Sequence, residues 1–221
     1  MSVPNNIQLI QSNLPKGVKL VCVSKFHSVA TIQEAYDAGQ LIFGESRVQE
    51  LTEKHSQLPT NIEWHFIGHL QTNKIKQLLP FVSLIHGIDS PKLLHEINKE
   101  AEKAHLKVNC LLQVHIAKED TKFGFSKEEL LKFLNSEEFN TLENITVCGL
   151  MGMATYTNDS NIVRNEFRII KSLFDELKLD VFSSKETFKE LSIGMSDDYK
   201  IAIEEGSTMI RIGSAIFGDR M

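Results

Sequence analysis

The chain alternates short apolar runs with stretches whose apolar positions recur at helical spacing. The runs VKLVCVSK (18–25), LIFGES (41–46), EWHFIG (63–68), SLIHGID (83–89), KVNCLLQVHI (107–116), TVCGLMGM (146–153), KELSIGM (189–195) and TMIRIGSAIFG (208–218) read as strands. Helical stretches lie between them. Thr31 with Glu34 three residues on has the form of a capping box, and Gly39 stops that helix. A polar helix runs from Arg47 to His55, and a short one lies around Asn73–Leu79. Ser90-Pro91 opens a helix that reaches about Ala104, with the proline suited to the first turn. Ser126 with Glu129 repeats the capping pattern. Residues 159–178 carry Ile162, Phe167, Ile170, Leu173, Phe174 and Leu177 near helical period, and a last helix is expected from a cap at Ser196 to a stop at Gly206.

Strands joined by helical crossovers predict a parallel sheet, and eight such units in 221 residues predict a closed (β/α)8 barrel of the TIM type. The open dinucleotide-binding sheet is the structural alternative. Its glycine-rich turn is missing, because VSKFHS after the first run contains no glycine. No helix is expected after the eighth run, and the segment Asn5–Leu14 is expected to pack on the barrel as an extra N-terminal helix. No repeat, low-complexity tract or linker divides the sequence, so residues 1–221 are read as one domain.

Composition narrows the class. Hydrophobic residues make up 42% and charged residues 24%, as in an ordinary globule. A net charge of −5 argues against a dedicated nucleic-acid surface, yet leaves room for a small phosphate pocket. Cys22, Cys110 and Cys148 each lie in an apolar run and form no CxxC, which fits reduced core thiols in a cytoplasmic protein. The N-terminus has no basic region followed by an apolar one, and no run is long enough to span a membrane.

Four segments carry candidate chemistry. Lys25 ends the first strand, at the edge where barrel active sites lie. It shares a face with Val21 and Val23. If that face lines the barrel, the amine points into the mouth, where partial burial favours the neutral nucleophilic form. Taken alone, VSK also suits a strand-end lysine reaching to solvent. LSIGMS (191–196) places two hydroxyls and a glycine where the next helix begins, a position suited to an anion or simply to a helix cap. RIGSAIFG (211–218) offers Gly213 and Ser214 at the eighth strand, and barrels often bind phosphate after strands seven and eight. Arg211, in the same run, needs an acceptor if it is buried, and a structural ion pair would also supply one. His65 and His69 are four apart on a strand and its turn, a spacing that does not converge on a metal. No metal site is expected.

Together these segments resemble the YggS/PROSC family of pyridoxal phosphate-binding homeostasis proteins. The matches are VCVSK, FGESRVQE, WHFIGHLQTNK, GLMGM, LSIGMSDD and GSTMIRIGSAIFG, running from residue 21 to residue 218. The resemblance implies an alanine racemase-like barrel with pyridoxal 5′-phosphate (PLP) as a Schiff base on Lys25. It implies that Ser192, Met195 and Ser196 lie near the ligand, that Gly213 and Ser214 add phosphate donors, and that Arg211 faces the pyridine nitrogen. His65 is expected around the cofactor as well. The family usually has FGEN where this chain has FGES, so Ser46 replaces an asparagine near the cofactor. The resemblance further implies a protein that binds, buffers or delivers PLP, with PLP-dependent apoenzymes as possible partners. No nucleic acid or membrane is expected as a partner, and a monomer is expected. Alanine racemases carry a second domain with a tyrosine base. Tyr36, Tyr156 and Tyr199 fall in helix or loop segments here, so a two-base racemase is not expected, and a PLP-dependent racemase-like enzyme stands as the alternative.

Overall fold

The structure is a computed structural model that describes residues 2–117 and 123–218. Eight strands close into a parallel barrel in sequence order: β1 (Lys19–Val23), β2 (Ile42–Glu45), β3 (Glu63–Phe66), β4 (Val82–Ile88), β5 (Val108–Gln113), β6 (Ile145–Met151), β7 (Glu190–Ser192) and β8 (Met209–Ile212). The helices around it are α1 (Val3–Ser12), α2 (Val29–Asp37), α3 (Val48–His55), α4 (Ile75–Leu78), α5 (Pro91–Lys103), α6 (Lys127–Leu134), α7 (Glu137–Asn140), α8 (Ser160–Leu179), α9 (Tyr199–Glu204) and α10 (Ser214–Phe217). This is the barrel that the alternation of runs predicts. No helix among the described residues is long and apolar enough to cross a membrane.

Alternation along the strands sorts the core into two parts. One side of each strand packs under the helices, where Cys22, Phe43, Trp64 and Ile85 meet helical residues such as Leu94, Ile97, Phe167 and Ile170. The other side fills the barrel with Val21, Leu84, Leu111, Met151 and Met209. The face that Lys25 shares with Val21 does line the barrel. Two residues further along the same inward faces stand His86, Gln113 and Arg211, so the interior turns polar toward the mouth. Leu111 is fully buried in the inner layer. Leu111→Ala is expected to cost about 2–5 kcal/mol, seen as a lower denaturant midpoint at unchanged slope.

Several boundaries differ from the sequence reading. The cap of α2 is Ser28, not Thr31: the Ser28 hydroxyl accepts from the Thr31 amide at 3.2 Å, and the helix starts three residues after Phe26, whose φ of 69° turns the chain. Ser126 and Glu129 do form the expected capping box, and Ser90 caps α5 with Pro91 in its first turn. Ser196 does not cap α9. Asp198 precedes that helix, and its carboxylate accepts from the Met195 amide at 2.6 Å. The eighth run is a strand only to Ile212. After Gly213 it makes the single turn α10, so a helix does follow strand eight. As expected, α1 packs on this flank: it lies against α2 and α10, and the Asn6 amide donates to the Ile216 carbonyl at 2.9 Å. In α8 the buried position is Val163 rather than Ile162, which is only partly covered.

Candidate functional site

Lys25 follows β1 at the C-terminal end of the barrel and is half-buried. β1 pairs with β8 with Cys22 opposite Ile212, which brings the end of β1 beside Gly213. The Gly213 amide donates to the Ser196 hydroxyl at 3.3 Å, tying the end of β8 to the loop after β7. That loop depends on Gly194, whose φ is +93° and where a Cβ would come within 2.5 Å of the Ala202 side chain. Ser214 is exposed at the start of α10. Lys25, Ser196, Gly213 and Ser214 therefore gather at one side of the mouth. Ser46 is half-buried at the end of β2, where its backbone leaves no room for a Cβ at Gly68.

Ser192, His65 and Arg211 belong to the polar inner layer. Arg211 donates from Nη1 to the Ser192 carbonyl at 2.8 Å and hydroxyl at 2.7 Å, and from Nη2 to the Gly152 carbonyl at 3.1 Å. Ser192 Oγ lies 3.1 Å from His86 Nδ1, and His86 Nε2 lies 3.0 Å from His65 Nδ1. A guanidinium can only donate. The Ser192 hydroxyl keeps its own hydrogen for a further bond, and the direction of the two His86 contacts follows the tautomer of that ring. His86 was not singled out from the sequence, although its spacing from Leu84 places both on one strand face.

Burial sets the charges. It drives His65 down to about 3, helped by the positive charge of Lys19, and holds His86 well below the usual histidine range, helped by His65 and Arg211. Arg211 is lowered by burial to about 10, which still leaves it a cation at neutral pH, and the Asp198 carboxylate works in the opposite sense. Burial raises Asp198 itself, against the Met195 amide and Arg211. Among the described residues Arg211 meets no carboxylate within 4.0 Å. A buried cation answered only by carbonyl and hydroxyl oxygens has capacity left for an electron-rich ligand. With an amine and a hydroxyl–amide pair at the same mouth, the residues fit PLP.

The two histidines make a testable pH signature. Their folded-state values are depressed, so the stability from burying them neutral is present above the unfolded value of about 6.5 and is lost as pH falls below it. Each should lower the unfolding free energy by about 1.4 kcal/mol per pH unit between about pH 6 and 4. Glu45, raised by burial, acts in the opposite sense in both proteins compared. His86→Gln should thus give a shallower pH dependence than the parent, read from denaturant midpoints. Parallel curves would contradict the assignment.

Met195 is exposed and lines two clefts. One, of about 380 Å³, is bounded by Thr155, Tyr156, Asn158 and Asp198; the other, of about 190 Å³, by Gln113, His115, Phe123 and Met153. Both open beside the site. His69 lies outside the inner layer, half-exposed, with Nδ1 2.9 Å from Asp89 Oδ2. His65 and His69 thus have separate partners. No group of three or more potential metal-ligating side chains occurs among the described residues.

The family described as "Alanine racemase, N-terminal domain" matches residues 2–221. A pyridoxal phosphate homeostasis protein of Aquifex aeolicus is 40% identical over 203 residues, covering 91% of this chain and 87% of the relative. The structure of PipY from Synechococcus elongatus with PLP bound superposes with a TM-score of 0.89 at 32% identity, covering 98% of this chain and all of that one. Alanine racemase of Clostridium difficile shares the fold with a TM-score of 0.76 at 14% identity, the match covering 99% of this chain and 56% of the racemase. The chain belongs to the alanine racemase N-terminal domain family and, within it, to the pyridoxal phosphate homeostasis proteins.

Proposed function

We propose that this single-domain barrel binds PLP through a covalent linkage to Lys25 and takes part in PLP homeostasis by holding, buffering or delivering it. The observation that carries this is the convergence of Lys25 with the Ser196–Gly213 pair at the mouth, over an interior that holds Arg211, a cation that meets no carboxylate among the described residues. Lys25 would supply the amine for the linkage to the aldehyde carbon of PLP, with the aldehyde oxygen lost as water. Ser196, Gly213 and Ser214 take the phosphate end, where hydroxyl and backbone donors meet a doubly charged acceptor. Arg211 would donate to the pyridine nitrogen, and because a guanidinium does not give up its proton there, that nitrogen would stay unprotonated. Ser192, His86 and His65 hold Arg211 in place from within the barrel, and Ser46 and Met195 border the ligand.

When bound, PLP can act as an electron sink for carbanions. This chain's own residues make little use of that. An unprotonated ring nitrogen makes the sink shallow. His65 Nδ1 is already engaged with His86 Nε2, and His69 is paired with Asp89. We read the protein as a non-catalytic holder, active as a monomer, with PLP-dependent apoenzymes as recipients. The test is Cα deuterium exchange of alanine and other common amino acids in heavy water. The PLP-loaded protein should show no exchange above free PLP. Rapid exchange lost in Lys25→Ala would instead establish a racemase-like enzyme.

A further inference from the structure

We propose that Lys54 and Glu50 are positioning residues for Lys25, gripping the backbone on both sides of it; this rests on Lys25 being the PLP-linked residue. Lys54 lies on the inner face of α3 with a side chain only 6% exposed, and a lysine so buried needs acceptors. Its ammonium has three N–H bonds and three partners: the Ser24 carbonyl at 2.8 Å, Glu45 Oε1 at 2.7 Å and Glu50 Oε1 at 2.6 Å. Ser24 Oγ donates to the same Glu45 oxygen at 2.7 Å. Glu50 Oε1 also accepts from the Phe26 amide at 2.5 Å.

These contacts bracket one residue. The peptide unit before Lys25 is held by its carbonyl, through Lys54. The peptide unit after it is held by its N–H, through Glu50. Phe26 sits at a φ of 69°, a conformation that a bulky residue adopts only when its surroundings require it. The turn is closed by the His27 amide donating to the Ser24 carbonyl at 3.1 Å, and Arg47 lies 5.0 Å from the centre of the Phe26 ring. With both flanking peptide planes fixed, the direction in which the Lys25 side chain leaves the backbone is fixed too. A long, flexible amine is thereby aimed before ligand arrives, which lowers the entropy cost of reaching the aldehyde. Buried ion clusters add little net stability over apolar packing. What this one holds accounts for its place better than what it contributes to folding.

The experiment compares full-length variants loaded with PLP. For each, the fraction of retained PLP that borohydride fixes on Lys25 is measured by mass, beside the cofactor-free melting temperature. Glu50→Ala should lower the ratio of fixed to unfixed PLP, and with it that fraction, the ratio falling about tenfold or more, the effect of one charge-assisted hydrogen bond. Glu50→Gln, which keeps an acceptor oxygen for the Phe26 amide, should restore most of it. Lys54→Gln should lower it as Glu50→Ala does, and serves as the second variant if Glu50→Ala does not fold. Leu130→Ala, in α6, supplies a protein destabilised elsewhere and should keep the parent fraction. Equal fractions in all of these proteins, or a loss that follows melting temperature alone, would overturn the proposal. A parent protein with no Lys25-linked PLP would overturn the cofactor reading itself, before any variant is compared.

Discussion

Lys25→Ala should lose the visible absorbance of the PLP-loaded protein completely, because among the described residues no other amine is placed to replace it. Lys19 lies at the opposite end of β1, where it pairs with Glu190 at 2.6 Å. Lys54 is nearer in space, with its ammonium on the Ser24 carbonyl, but its three N–H bonds are all occupied by buried or partly buried acceptors. Folding should be little changed, within about 1 kcal/mol, since Lys25 is half-buried and belongs to neither core cluster. Some PLP should remain through its phosphate, released by dialysis far faster than from the parent. The check is an absorbance spectrum beside a total-PLP assay on the same sample. A visible band persisting in the variant would move the linkage to another lysine.

Pyridoxal without its phosphate should bind about a hundredfold more weakly than PLP, or worse. Hydrogen bonds to a charged group contribute about 1.5–3 kcal/mol each, and losing two of the weaker kind already corresponds to about two powers of ten. The donors at issue are the Ser196 hydroxyl and the backbone and hydroxyl of Gly213-Ser214. Ser196→Ala should reproduce part of the loss for PLP and leave pyridoxal affinity nearly unchanged, because only PLP has the charged acceptor. Equal affinities for the two ligands in a spectrophotometric titration would remove the phosphate site from the ends of β7 and β8.

Much of this was legible in the sequence for a physical reason. A strand buried on both faces reads as a continuous apolar run, and eight such runs separated by helical stretches leave few closed arrangements. Lys25 could be placed at the mouth because alternation from Val21 fixes its face. Errors arose where two local signals were equivalent. Ser28 and Thr31 are both competent caps, and the left-handed Phe26 chose between them. RIGSAIFG has the apolar content of a strand, and its stretch Ser214–Phe217 suits one helical turn equally well. Long-range pairing was beyond reach. His86 meets Ser192 across 106 residues of sequence, and only barrel closure brings their strands to face one another. Lys54 read as one more polar residue of an exposed helix, since nothing local marks it as the partner of Glu45 and Ser24.

The most direct test of the central claim is borohydride reduction of the PLP-loaded protein followed by peptide mapping. Reduction converts the carbon–nitrogen double bond to a stable amine and so marks the linked residue permanently. The account predicts one modified peptide, with the pyridoxyl phosphate mass on Lys25. An adduct on Lys19, Lys54 or Lys74, or retained PLP with no covalent adduct at all, would contradict it.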